Sequence, residues 1–85
     1  MNRRQLLQKL TLGNYQNVAM SDFVNLMEGF GFSLLRTRGS HKIYGRPDVD
    51  EIINVQNVKG QAKPYQIRQF LRLVERYNIL LEEES

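Results

Sequence analysis

The sequence predicts an α+β domain whose helices cover one face of a three-stranded antiparallel sheet. Three observations predict it. The spacing of apolar residues changes from a helical period to a period of two near Phe32, and returns to a helical period after Pro64. The alternating stretch is broken at Gly39-Ser40 and again at Gly45-Arg46-Pro47-Asp48 by connections too short to cross a sheet, so neighbouring strands run antiparallel. The most strongly periodic run, "PYQIRQFLRLVERYNILLEE", follows the strands. The order is therefore α-β-β-β-α, with an additional N-terminal helix in front.

Taken in order, "RRQLLQKL" places Leu6, Leu7 and Leu10 on one side of a short helix that Gly13-Asn14 ends. Residues 15 to 20 form a connector. Ser21 is the expected N-cap of the next helix, with Asp22 in its first turn. Phe23, Leu26, Met27 and Phe30 form the apolar face of that helix, Gly29 weakens it, and Gly31 stops it. A strand starting at Phe32 sets Phe32, Leu34, Arg36 and Arg38 in one row, with Leu35 and Thr37 in the other. "HKIYG" sets His41 and Ile43 against Lys42 and Tyr44. "GRPDVDE" reads as the following turn and "IINVQNV" as the third strand, with Ile53 and Val55 facing opposite to Ile52, Asn54 and Gln56. Pro64 suits the first turn of the last helix, whose core stripe is Ile67, Phe70, Leu71 and Val74. Two helices on one sheet face leave the other face wet. This is the layout of a double-stranded-RNA-binding domain, and other α+β domains share it.

The bulk chemistry narrows the function classes. With 85 residues there is room for one core. There is no cysteine and only one histidine, which argues against disulfides, thiolate chemistry and a metal centre; no cofactor is expected. No apolar run approaches the ~20 residues of a membrane span, and the N-terminus lacks a signal-peptide pattern, so a cytoplasmic protein is expected. Residues 36 to 76 carry nine basic and four acidic side chains, a net of +5. That balance favours a polyanionic partner, nucleic acid foremost.

The chemistry-bearing residues cluster in "RTRGSHK". Cleaving RNA without a metal needs a group that moves the proton of a ribose 2′-hydroxyl and cations that hold the phosphate. Imidazole, with an ordinary pKa near 6.5, serves the first need at neutral pH. Arg and Lys serve the second. The candidates are His41 for proton transfer and Arg36, Arg38, Ser40 and Lys42 for RNA contact, with Lys59 and Lys63 approaching from a loop. Arg68 and Arg72, with Arg76, form a basic stripe on the last helix that is either an RNA surface or a solvated face. Tyr44 and Tyr65 either stack on bases or cap the core edge. From the residues alone, His41 is either catalytic or a half-exposed residue at the start of a strand.

Beyond these readings, "GFGFSLLRTRGSHKIYGRPDV" and "INVQNVKGQAKPYQIRQFLRLVE" resemble the HicA family of small toxins. The likeness runs from about Val18 to Tyr77. The combination of Gly39-Ser40-His41, Pro47 and Gly60-x-Ala62-Lys63-Pro64-Tyr65-Gln66 carries it. The resemblance implies a fold like that of a double-stranded-RNA-binding domain. It also implies a metal-independent mRNA interferase activity and a HicB-like antitoxin as partner. The family's catalytic histidine lies in the Gly-Ser-His turn, here His41. Many members carry a second histidine next to it; this chain has Lys42, which excludes a mechanism needing two imidazoles. The resulting division is a helical extension over residues 1–17, a HicA-like domain over 18–81 and an acidic tail over 82–85. The leucines of the extension suggest that it docks on the domain or forms a homodimer. The alternatives are a non-catalytic binder of structured RNA and a protein-interaction module.

Overall fold

A computed structural model describes residues 1–82 of the chain, so the tail beyond Glu82 lies outside the described residues. The elements are α1 (Arg3–Thr11), α2 (Met20–Gly29), β1 (Ser33–Arg38), β2 (His41–Arg46), β3 (Val49–Gln56) and α3 (Pro64–Arg76). The three strands form one antiparallel sheet in the order β1-β2-β3. This is the α+β order α-β-β-β-α that the periodicity predicts, preceded by α1.

α1 opens with a capping box. The Asn2 side chain accepts from the Gln5 N–H at 2.8 Å, and Gln5 Oε1 accepts from the Asn2 N–H at 3.4 Å. Leu6 and Leu10 are fully buried in the same cluster as the α2 stripe, so α1 contributes to one common core.

α2 begins one residue before Ser21, and its N-cap is Ala19, which offers no side-chain bond. A long-range backbone contact replaces the expected hydroxyl cap. The Met20 N–H donates to the Gly60 carbonyl at 2.8 Å, and the Ala62 N–H donates to the Val18 carbonyl at 2.9 Å. The other end is as the sequence reads. Gly31 (φ +84°) lets the Phe32 N–H reach the Met27 carbonyl at 3.0 Å and the Gly31 N–H reach that of Glu28 at 2.9 Å, a complete Schellman motif.

The sheet departs from strict alternation in two places. Leu34 pairs with Tyr44 and Arg36 with Ile43, so Leu35 is an extra, bulged residue; the row Phe32-Leu34-Arg36-Arg38 is broken there, and Leu35 does not share a face with Thr37 as expected. β3 starts at Val49, three residues earlier than expected. Its pairing passes from Tyr44↔Ile53 to Arg46↔Val49, which sets Asp50, Glu51 and Ile52 opposite the single Gly45. The predicted long turn is thus a tight Pro47-Asp48 connection followed by an irregular strand.

The core centres on Phe70. Its ring meets Phe23, Phe30 and Phe32 edge-on, with centroids 5.5, 5.4 and 5.9 Å away. α3 also shields the outer edge of β3. Gln69 Nε2 donates to the Ile52 carbonyl at 3.4 Å and Gln66 Nε2 to the Gln56 carbonyl at 3.5 Å. Gln66 is completely buried, and its Oε1 accepts from the Lys63 N–H at 3.2 Å. The stretch from Gly60 to Gln66 is therefore a structural junction joining the start of α2, the edge of β3 and the start of α3.

Candidate nucleic-acid interface and active site

Arg38 pairs directly with His41, leaving Gly39-Ser40 as a two-residue turn. Gly39 has φ +60° and Ser40 is not in the positive-φ region, the pattern of a type II′ turn that needs glycine first. Tight closure fixes the register of the hairpin. His41 and Ile43 then share the outer sheet face with their partners Arg38 and Arg36 on β1, and with Gln56 and Asn54 on β3.

His41 is exposed. Its Nδ1 lies 3.0 Å from Asn54 Oδ1. Gln56 Nε2 donates to Ser40 Oγ at 3.2 Å. Two amides on one row of β3 thus hold the two residues at the mouth of the hairpin, one each. Arg38 stands across from His41 and Arg36 stands further along β1, both exposed. The imidazole is neither sealed in the core nor remote from guanidinium groups.

The other basic candidates divide between different surfaces. Lys42 pairs with Val55 and Thr37 and points to the helical side of the sheet, not to the face of His41. There it lines a cleft of about 220 Å³ with Met20, Val24, Ser40, Tyr44 and Asn57. Tyr44 is 4% exposed and belongs to the core, and burial followed by the charge of Glu28 pushes its phenol above the ordinary range. Lys59 sits in the exposed 57–60 turn at positive φ. Lys63 precedes α3 with its ammonium 6.0 Å from the Tyr65 ring centre; Tyr65 is 53% exposed and caps no core edge. The stripe on α3 does not act as one unit. Arg68 lies over Tyr15 and Arg76 reaches Glu51 and Tyr77, while Arg72 is exposed between them. All three stand on the helical layer, away from the outer sheet face.

The outer face is not uniformly wet. Leu35 and Ile52 are 56% and 42% exposed and lie over Gly45, where a Cβ would come within 2.6 Å of Leu35 Cδ1 and 3.7 Å of Ile52 Cγ2. An apolar platform thus continues the row that carries His41.

Against this geometry, the family model for the HicA toxin of bacterial toxin–antitoxin systems matches residues 20–75. The chain belongs to the HicA toxin family. The match opens at the first residue of α2 and closes one residue before the end of α3, so it contains the sheet, the hairpin and His41, and leaves α1 outside. Searches of the curated proteins and of the solved structures gave no match. Among the described residues of this HicA chain, no helix is long and apolar enough to cross a membrane.

Two features of the HicA site escape a reading of local residue types. Asn54 and Gln56 look like an ordinary polar strand face; only their shared parity with His41 across the register shows what they touch. The Leu35–Ile52 platform depends on the bulge, which no local pattern announces.

Proposed function

We propose that this HicA toxin is a metal-independent endoribonuclease acting on mRNA, with His41 as its general acid–base group. The observation that supports it best is the exposed imidazole held at Nδ1 by Asn54, with Arg38 directly across the hairpin. In the proposed reaction His41 takes the proton of a ribose 2′-hydroxyl. The 2′ oxygen forms a bond to the adjacent phosphorus, the bond from phosphorus to the 5′ oxygen breaks, and the leaving oxygen keeps that electron pair. A proton returned by the imidazolium neutralises it. The products are a 2′,3′-cyclic phosphate and a 5′-hydroxyl. A 2′-hydroxyl is required, so DNA is no substrate. Arg36 and Arg38 steady the phosphorane charge from the same face. The Ser40 hydroxyl, already accepting from Gln56, has its hydrogen left to donate to a phosphate oxygen. Lys42, Lys59, Lys63, Arg68 and Arg72 serve as more distant phosphate contacts that hold the RNA outside the reaction centre.

The antitoxin implied by the family is proposed to be a HicB-like protein that covers His41 and presents carboxylates to the arginines. Residues 18–81 are taken as the RNA-cleaving domain and 1–17 as an extension, in a protein working in the cytoplasm. A homodimer through α1 is not part of the proposal, because Leu6 and Leu10 are spent inside the protomer's own core.

The test is incubation of purified protein with RNA, with and without EDTA, beside His41→Ala. The expected result is EDTA-resistant cleavage leaving cyclic phosphate ends, lost in the variant with RNA affinity retained. Wild-type protein that binds RNA and never cuts it would establish the non-catalytic binder instead. Binding with no steep salt dependence would favour a protein-interaction module.

A further inference from the structure

The outer sheet face holds one contact that the proposed reaction does not by itself demand. His41 Nδ1 and Asn54 Oδ1 are 3.0 Å apart, a hydrogen-bond distance. Asn54 Oδ1 is an acceptor without a hydrogen, so a bond at this distance requires the proton to sit on Nδ1. In the neutral ring the other nitrogen, Nε2, then carries a bare lone pair. The choice matters because a neutral imidazole abstracts a proton only through the nitrogen that lacks one.

We propose that Asn54 is a positioning residue that holds neutral His41 as the Nδ1–H tautomer and presents an unprotonated Nε2 to the RNA. The register makes the contact possible. Ile43 pairs with Asn54 and His41 with Gln56, so Asn54 is a diagonal neighbour of His41 on the same face, within reach of a ring. The neighbouring amide completes the arrangement: Gln56, directly opposite His41, turns to Ser40 Oγ and leaves the imidazole to Asn54. Arg38, opposite His41 on β1, brings a cation and no acceptor, so it does not compete for the Nδ1 proton. An amide suits this task better than a carboxylate in a site that must receive a polyanion, because it accepts the hydrogen bond without adding negative charge. Asn54 is exposed, so truncating its side chain removes the contact without opening the core.

The catalytic consequence rests on the ribonuclease reading above; the tautomer does not. The chain has a single histidine, so imidazole signals need no assignment by mutation. Long-range proton–nitrogen correlation spectra of ¹⁵N-labelled protein report which ring nitrogen carries the hydrogen in the neutral form. Wild type is expected to show mainly Nδ1–H. Asn54→Ala is expected to shift the population to Nε2–H, the form an unconstrained side chain favours, and Asn54→Asp to restore Nδ1–H. In parallel, kcat for RNA cleavage is expected to fall on the order of tenfold in Asn54→Ala with KM little changed, a part of what a general base supplies. A wild-type spectrum dominated by Nε2–H would overturn the proposal, because it would mean that the Asn54 amide donates. So would an unchanged tautomer ratio in Asn54→Ala, or a shifted ratio with cleavage at the wild-type rate. A protein with the expected tautomers and no ribonuclease activity would overturn the function proposed above while leaving the Asn54 contact in place.

Discussion

Arg3 Nε donates to the Asn25 carbonyl at 2.8 Å and to Asn25 Oδ1 at 3.1 Å, tying the first turn of α1 to the middle of α2. The same side chain explains Gly29. A Cβ there would lie 2.7 Å from Arg3 Cδ and 2.8 Å from Leu81 Cδ1. The glycine costs α2 about 1 kcal/mol of helix propensity, and it makes room for α1 and the C-terminal segment to close over the helix. Gly29→Ala is expected to be net destabilising by about 1 kcal/mol, since overpacking costs roughly 1–3 kcal/mol. In an Arg3→Ala background the loss should shrink or reverse, with a coupling of about 1 kcal/mol in urea unfolding. Additive effects of the two substitutions would remove Arg3 as the cause.

Phe70 is the ring on which three others converge, from α2, from its C-cap and from the residue just before β1. Phe70→Ala should cost about 3–5 kcal/mol, a large fraction of what a domain of this size possesses. Chemical denaturation is expected to show a large drop in midpoint or loss of the cooperative transition. A shift below 1 kcal/mol would mean that the aromatic cluster is not the centre of the core.

Arg46 links two elements. Its Nη1 donates to the Phe30 carbonyl at the end of α2, and its Nε meets Asp48 Oδ1 at 2.6 Å. The hydrogen bond from Arg46 holds the Asp48 carboxyl below its ordinary value of 3.8. A lowered folded-state pKa contributes stability that is complete above the ordinary value and is lost as pH falls through the folded one. Asp48→Asn should therefore be less stable than wild type at neutral pH, with the difference shrinking below pH 3.8. Urea midpoints measured from pH 2 to 7 test it; a constant gap between the two proteins across that range contradicts the pairing.

Arg38 and Lys42 flank His41 in sequence, yet they face opposite sides of the sheet. Arg38→Ala should lower kcat/KM for RNA cleavage by roughly 10–100-fold, the worth of a charged hydrogen bond. Lys42→Ala should change it only about threefold, mostly through KM and in a salt-dependent way. Equal losses from both substitutions would show that the substrate wraps around the hairpin and does not lie on the outer face.

Much of this molecule is set by local pattern. The helical spacing of Phe23, Leu26, Met27 and Phe30, the stop at Gly31 and the tight Gly39-Ser40 turn each express a short-range preference of the backbone or of apolar surface, so each is visible in the order of residues. The parity of His41 with Ile43 is of the same kind. The start of α2, by contrast, is decided by a carbonyl forty residues away, which overrides the hydroxyl of Ser21. The bulge at Leu35 and the three residues opposite Gly45 are tertiary choices as well, made where an exposed leucine can lie over a missing side chain. The contact between His41 and Asn54 joins both kinds. Period two puts each on its face, but only the β2–β3 register brings them within 3.0 Å, because one residue of slip would carry Asn54 to the other side of the sheet.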